Sequence, residues 1–353
     1  MALSILSPSD QVASHLREQL LSKRWAKELP GTPALATEFG IDRKTIIAAI
    51  HQLEEEELLI AQGIGRPRLV NLPKTKSSNA LKIRIMPYDD EDRERSYILT
   101  LIHQLKEQGH SVSMATKNLL DMKMEVSKIS RYMENEPADL WIPIAASRDL
   151  LEWFIAQEIP VFAFFGRRRD LPMGSIGPDK GPALIKAIQR LIAYGHRRIV
   201  YLTREERRKP EPGYLERLFL KQLESHGIIT GQYNLPDWEE SAESFNLCID
   251  KLFMHTPPTA LIFDEAQFLM AASYRLAQSN IFAPRDISLI CQDSSHIFDW
   301  CQPQISHITW NPDPLVAHTV EWVKQFSLGK QQREAIFTEA TFLEGGTIGP
   351  VRR

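Results

Sequence analysis

The apolar positions of the first sixty residues repeat with a helical period. Val12, Leu16 and Leu20 stand four apart, with Leu21 and Trp25 widening the stripe. The spacing predicts an amphipathic helix capped by Ser9 or Asp10. After Leu29-Pro30-Gly31-Thr32 a short helix is expected over 33–39, with Thr32 as its cap, Pro33 in its first turn and Gly40 supplying a left-handed end. Asp42 then caps a longer helix running to about Glu57. In it Ile46, Ala49, Ile50 and Leu53 share an inward face, while Arg43, Ile47 and His51, with Lys44 beside them, share another. Two helices joined by a Gly turn form a helix-turn-helix, and the N-terminal half of the second helix is the part that reaches base edges in a major groove. Leu58-Leu59-Ile60 and Arg66-Pro67-Arg68-Leu69-Val70, on either side of Gly63-Ile64-Gly65, read as a two-stranded wing with a basic tip able to meet phosphate. The run Glu54 to Glu57 reads as a solvated acidic end.

The pattern changes at Pro73-Lys74-Thr75-Lys76-Ser77-Ser78-Asn79-Ala80, which holds no apolar side chain larger than Ala and reads as a linker. Domains are therefore expected over 1–72 and 81–353, with 73–80 between them. Beyond the linker, short apolar runs alternate with longer helical patterns. Strands are expected at 83–86, 111–114, 139–144, 161–165, 198–202, 260–263 and 287–291, and Ile98, Leu101, Ile102 and Leu105 mark a helix ending near Gly109. This alternation predicts a doubly wound, parallel α/β fold in which ligands collect at the carboxyl ends of strands.

Composition adds exclusions. Of 353 residues 43% are hydrophobic and 25% charged, as in an ordinary globular protein, and the formal net charge of −3 rules out a generally basic surface. Residues 61–76 nevertheless carry Arg66, Arg68, Lys74 and Lys76 and no acid, a local basic patch suited to DNA. No run approaches the ~18 apolar residues of a membrane span, the first residues lack a secretory pattern, and the three cysteines form no CxxC pair. A cytoplasmic protein that uses no membrane is expected. The ten histidines show no HExxH spacing, and Gly63-Ile64-Gly65 lacks the third Gly of a nucleotide loop. Asp293-Ser294-Ser295-His296 is too compact for a catalytic triad. No catalytic residue, metal or cofactor is expected. Arg204 to Lys209 reads as a solvated loop.

Taken in order, Leu29-Pro30, the run Leu35-Ala36-Thr37-Glu38-Phe39-Gly40-Ile41-Asp42-Arg43-Lys44-Thr45-Ile46, then Leu53-Glu54-Glu55-Glu56-Glu57-Leu58-Leu59 and Gly63-Ile64-Gly65 resemble the GntR-type winged helix over about 9–71. Gly31, Pro33 and Ile47 stand where that family has Ser, Arg and a recognition-helix Arg. The resemblance implies a DNA-facing set of Thr32, Arg43, Lys44, Thr45, Ile47, His51, Gly65, Arg66 and Arg68. Ile47 can give only an apolar contact, such as one to a thymine methyl, so the operator preference should depart from the family norm.

The stretches Leu191-Ile192-Ala193-Tyr194-Gly195-His196-Arg197-Arg198-Ile199-Val200-Tyr201-Leu202 and Pro284-Arg285-Asp286-Ile287-Ser288-Leu289-Ile290-Cys291-Gln292-Asp293 are similar to the effector domain of LacI/GalR regulators. Pro303 to Thr309, Glu158-Ile159-Pro160-Val161 and Gly177-Pro178-Asp179 fit the same frame, over 81–349. The similarity implies two α/β lobes of the periplasmic-binding-protein-like kind, crossings near 166–175, 292–295 and 310–312, and an effector cleft between the lobes. Asp264-Glu265 replaces a usual Asn-Asp pair, and the family's Arg-x-x-Gly-Phe is unmatched around 214–219, although Arg217 lies close. Effector contacts are expected from Tyr88, Asp89, Ser147, Arg148, Arg167, Asp264, Asp293, Trp300 and Trp310. Carboxylates and Arg pair with vicinal hydroxyls and aromatic rings cover a sugar's apolar face, so the effector is expected to be a carbohydrate or similar polar metabolite. The whole is then a homodimeric regulator of a double-stranded DNA operator. The competing expectation keeps the winged helix but makes the α/β domain a dimerisation scaffold that senses nothing, which would show as a collapsed, apolar cleft. An exported binding protein would have no winged helix, and the chain after the linker is too short for a fused aminotransferase.

Overall fold

The computed structural model describes residues 7–21, 24–25, 27–56, 58–63, 66–71, 80–330 and 332–352. The side chain of Leu21, together with Glu57, Ile64, Gly65 and linker residues 73–79, lies outside that set. The chain separates into two compact units, Met1–Asn79 and Ala80–Arg353.

In the first unit, α1 (Pro8–Leu21) starts two residues earlier than a cap at Ser9 would give and three earlier than one at Asp10. Ser7 is the cap: its Oγ accepts from the Asp10 amide at 3.2 Å, and Asp10 Oδ2 accepts from the Ser7 amide at 3.0 Å. This reciprocal pair is a capping box with Asp as its acid. Asp10 Oδ1 also accepts from Gln52 Nε2 at 2.8 Å, which ties the start of α1 to the third helix. After β1 (Glu28–Leu29) come α2 (Thr32–Phe39) and α3 (Arg43–Glu55). Gly31, not Thr32, caps α2, so Thr32 is its first helical residue. Gly40 ends α2 in the left-handed region (φ 65°), which turns the chain sharply into α3. Strands β2 (Leu59–Ile60) and β3 (Arg68–Val70) pair antiparallel as the wing, and β1 adds to β3, pairing Leu29 with Arg68. The two-residue β1 is too short to show a period. Leu16, Leu20, Leu29, Leu35, Ile46, Ile50 and Leu53 close one core.

The second unit has two lobes. The first is built by β4 (Lys82–Met86), α4 (Ser96–Glu107), β5 (Ser111–Met114), α5 (Val126–Glu134), β6 (Leu140–Pro143), α6 (Arg148–Ala156), β7 (Ala163–Phe164) and β8 (Ser175–Asp179). The second contains α7 (Gly181–Ala193), β9 (Ile199–Leu202), α8 (Glu205–Arg208), α9 (Tyr214–Ser225), α10 (Ala242–His255), β10 (Ala260–Phe263), α11 (Ala266–Gln278), β11 (Ser288–Cys291) and β12 (Ser306–Trp310). Then α12 (Asp313–Ser327) returns to the first lobe, where Leu315, Val316 and Val323 pack with Ile83, Ile98 and Ile142. Finally β13 (Ala335–Leu343) runs through both lobes.

Strands β5-β4-β6 are parallel, and β6 reaches β7 through bridges at Trp141–Val161 and Ile144–Phe164. In the second lobe β9, β10, β11 and β12 are parallel. Every residue of β9, β10 and β11 is buried, as expected of parallel strands covered on both faces. Val200, Leu202, Leu261 and Phe263 face the core under α10 and α11, while Ile199, Tyr201 and Ile262 face the core under α7 and α9.

The crossings differ from expectation at two of three places. Residues 335–339 of β13 pair parallel with β8, and residues 340–343 pair antiparallel with β12, so β13 is itself a crossing. The first crossing follows β8, at 179–181, after residues 166–175 have stayed in the first lobe. The segment 292–295 crosses nothing, because β11 and β12 are neighbours in one sheet. Only 310–312 is where the sequence placed it.

Candidate DNA-reading face and interlobe cavity

At the start of α3, Asp42 Oδ1 accepts from the amides of Lys44 (2.9 Å) and Thr45 (3.0 Å), and its other oxygen accepts from Thr45 Oγ1 at 2.6 Å. The Thr45 hydroxyl is thus held within the cap. With Ile46, Ala49, Ile50 and Leu53 turned inward, Arg43, Lys44, Ile47 and His51 are exposed, Ile47 by 41%. Arg66 is exposed on the wing, whereas Arg68 is half-buried. Arg68 Nε lies 3.0 Å from Glu54 Oε1, and His51 Nδ1 lies 3.0 Å from Glu54 Oε2. One carboxylate therefore ties β3 and α3 together. Glu56 pairs with Arg17 at 2.5 Å but, like Glu55, is exposed, so within the acidic run it is Glu54 that departs from a solvated end.

A cavity of about 460 Å³ opens between the lobes of the second unit. The first lobe contributes loops that follow β4, β6 and β7, and the second contributes the residues after β9, β10 and β11. Tyr88, Asp89, Ser147, Arg148, Arg167, Asp293 and Trp310 all line it. Tyr97, Phe165 and Trp310 form an aromatic wall, with Trp310 at 5.5 Å from Tyr97 and 5.3 Å from Phe165, both edge to face. Trp310 Nε1 donates to Asp293 Oδ1 at 3.1 Å, and Lys180 Nζ is 3.3 Å from the same oxygen. Burial works to raise the Asp293 pKa, but Lys180 and the indole N–H outweigh it, so the carboxyl stays below its ordinary range.

Bonds cross the cavity. The Tyr88 hydroxyl of the first lobe donates to Glu206 and accepts from Arg204, both of the second. The Arg167 guanidinium donates to the main-chain oxygens of Glu206 (3.1 Å), Lys209 (2.9 Å) and Glu211 (3.1 Å). Two residues on, the Arg169 guanidinium lies 3.7 Å from the Tyr214 ring centroid. Arg204 is anchored by Glu265 at 2.5 Å and Glu240 at 3.0 Å.

Residues 8–65 match the model for bacterial regulatory proteins of the gntR family, and residues 188–346 match the periplasmic binding protein-like domain. The chain joins a GntR-family helix-turn-helix to a periplasmic-binding-protein-like domain. The fold of the periplasmic-binding-protein-like domain recurs in solved LacI-family structures. A LacI family transcriptional regulator from Bifidobacterium animalis is 18% identical at a TM-score of 0.59, over 76% of this chain and 98% of that one. A LacI family transcriptional regulator from Enterococcus faecium, with bound ribose, is 16% identical at 0.58, over 76% and 99%. The transcriptional regulator CelR in complex with cellobiose is 15% identical at 0.62, over 90% and 100%. No curated protein sequence matches the chain.

Within this periplasmic-binding-protein-like domain two of the expected contacts lie elsewhere. Trp300 is 85% exposed on the turn His296–Trp300, and it does not line the cavity. Asp264 is buried beneath Arg204 and Arg207, where Oδ2 accepts from the Arg204 amide at 2.8 Å and faces Arg207 Nε at 3.4 Å. It positions the Arg204–Arg207 segment instead of facing the cavity. Ser147 caps α6, its Oγ accepting from the Leu150 amide, and Arg148 pairs with Glu152 at 2.7 Å while donating to the Arg169 carbonyl at 2.8 Å. The segment Arg204 to Lys209 is not a solvated loop: Arg204 and Arg208 are 4% and 6% exposed. Sequence reasoning missed Arg168, Arg169, Arg204, Arg207 and Glu265 as lining residues. The signal for the first two was present, as three consecutive arginines directly after an apolar strand.

Proposed function

We propose that this protein is a DNA-binding transcriptional regulator whose operator affinity is set by a small polar molecule, sugar-like in its hydroxyl pattern, held between the lobes of the second unit. The observation that carries this reading is the cavity itself, enclosed from both lobes and lined by charged groups and an aromatic wall, the mix that recognises polyols. A scaffold that senses nothing would be expected to close that space with apolar side chains. The ribose and cellobiose of the two similar structures support the same ligand class.

In this reading Arg43, Lys44, Ile47 and His51 face the major groove, Thr32 and Thr45 lie at helix starts near phosphate, and Gly65, Arg66 and Arg68 form the wing contact. Tyr88, Asp89, Ser147, Arg148, Arg167, Asp293 and Trp310 surround the effector. The regulator acts in the cytoplasm as a homodimer, because a two-fold operator is read by paired half-sites. No helix among the described residues is long and apolar enough to cross a membrane.

The test has two arms on the full chain. Selection of bound fragments from a genomic DNA library, followed by anisotropy titration, is expected to return one palindromic site. A metabolite screen by thermal shift is expected to return at least one polyol that raises the melting temperature and changes affinity for that site. Binding of all fragments alike would refute sequence-specific reading, and a ligand that stabilises the protein without altering operator affinity would refute effector control.

A further inference from the structure

The cations of the interlobe cavity are not evenly matched. Of the nine cations that line it, six are in ion pairs, and among the described residues Arg167, Arg168 and Arg217 are in none. Arg217 is exposed and donates to the Pro212 carbonyl, which leaves Arg167 and Arg168 as the two less accessible ones. Arg168 is 4% exposed, and its guanidinium donates only to Ser175 Oγ at 3.3 Å and the Gly177 carbonyl at 3.1 Å, with the Phe337 ring 4.4 Å away. Arg167 donates only to main-chain carbonyls. Neutral acceptors satisfy the geometry of a guanidinium but leave its charge uncompensated, and burial in that state is costly. Burial accordingly draws the Arg168 pKa down to about 10.

The backbone is shaped to keep these groups in place. Gly166 has φ +82°, and a Cβ there would lie 2.5 Å from the Ala146 carbonyl oxygen, so the loop bearing the arginines rests directly on the turn after β6. A Cβ on Gly177 would come within 3.0 Å of Arg168 Nη2, so glycine leaves room for the guanidinium. The nearest acids do not answer the charge. Asp179, the acid that acts on Arg168, is already paired with Arg169 at 3.1 Å. Asp170 and Glu211 are exposed at the rim, and Glu216 is buried, which raises its pKa and favours its neutral form.

We propose that the molecule held in this cavity is an anion, a small sugar or polyol bearing a carboxylate or phosphoryl group, and that Arg167 and Arg168 bind that group. This inference rests on the reading that the cavity holds an effector. A guanidinium fork matches two oxygens of either group, and a charge-assisted pair is about twice as strong as a bond to a neutral carbonyl. The anion therefore displaces the carbonyls of residues 206, 209 and 211 from Arg167. That exchange removes the Arg167 tie between the first lobe and the segment from β9 to α9, leaving the Tyr88 bonds to Arg204 and Glu206 as the other.

Calorimetric titration and thermal shift on the full chain would use matched compounds: glucose, glucuronate and glucose 6-phosphate; ribose and ribose 5-phosphate; and inorganic phosphate for the group alone. At least one anionic compound is expected to bind roughly tenfold or more tightly than its neutral partner. Arg167→Gln is expected to remove most of that advantage, and Arg167→Lys, which keeps the charge, to restore part of it. Melting curves of the free variants check that each is folded; Arg168 is too buried to serve as the first target. A neutral sugar binding as tightly as its anionic partner would overturn the inference while leaving effector sensing intact. So would an Arg167→Gln variant that weakens both members of a pair equally. No binding by any compound in either class would overturn both.

Discussion

Replacing Asp264 by Asn will change how stability depends on pH, by an amount the structure allows to be worked out. The carboxyl is buried, Oδ2 is held by the Arg204 amide, and Oδ1 has no partner among the described residues. Burial pushes its pKa up to about 7 in spite of Arg207, against about 3.9 for an unfolded Asp. Because the folded pKa is the higher one, the folded state holds the proton more tightly, so its contribution is complete below pH 3.9 and is lost as pH rises through 7. Between pH 5 and pH 7 that loss is about 2 kcal/mol. Asn keeps the oxygen that accepts from Arg204 and cannot titrate. Denaturant melts of both proteins at half-unit pH steps are therefore expected to converge toward neutral pH differently from toward pH 5, with the wild type gaining about 2 kcal/mol on the variant as pH falls. Comparing the two removes the shared titrations of Asp92 and Glu240, whose pKa values burial raises to about 6 and about 7. Parallel curves would mean that Asp264 stays ionised against Arg207, and the burial argument would be wrong. Asp264→Ala also strips the acceptor from the Arg204 amide, and is expected to show the same pH dependence against wild type while lying about 1–3 kcal/mol below Asp264→Asn at each pH.

Three further outcomes follow from the geometry. Arg43→Ala is expected to weaken operator binding by about 1–3 kcal/mol if the side chain reaches a base edge, and unchanged anisotropy titrations at fixed salt would remove Arg43 from the reading set. Arg66→Ala is expected to lower the slope of log K against log salt by about 1, while Arg68→Ala, which breaks the Glu54 link, is expected to lower the melting temperature as well; equal slopes in wild type and Arg66→Ala would take the wing tip off the DNA. Asp293→Asn keeps its shape but leaves Lys180 without a carboxylate, and is expected to cost about 1–3 kcal/mol of effector affinity. A variant that melts early yet binds effector normally would make Asp293 a structural residue only.

What the sequence disclosed depended on whether a signal was local. The cap at Asp42, the turn at Gly40, the inward face of α3 and the apolar strands β9 and β10 are each written within a few consecutive residues, and each is found where expected. Strand β13 was not legible because one edge belongs to each lobe and its positions are half-buried or exposed by turns, so no apolar run announces it. Glu54 was read as part of an acidic run, since its two partners come from three residues earlier on α3 and from β3 fourteen residues later. The same holds for Arg204, whose partners Tyr88, Glu240 and Glu265 lie far away in sequence. A run of charges tells nothing of its solvation until the fold places counter-charges around it.

Those distant partners also bear on how the regulator could respond. Arg167 and Tyr88 already bridge the lobes through five hydrogen bonds, so the interlobe angle seen here has its own stabilising contacts. A ligand can move an equilibrium between lobe angles only by as much as its affinity differs between them. A molecule that merely filled the cavity and left these bridges in place would bind this angle and change little. To change the angle it must compete for a bridging group. Asp89 also pairs with Arg204 across the cleft and Arg169 stacks on Tyr214, but of the two bridges made by hydrogen bonds the weaker is Arg167, whose partners are all neutral carbonyls. Tyr88 is clasped between a carboxylate and a guanidinium. Under the proposed reading the most responsive point of the cleft is therefore the segment between β9 and α9, and Arg167 is the residue through which an effector would act on it.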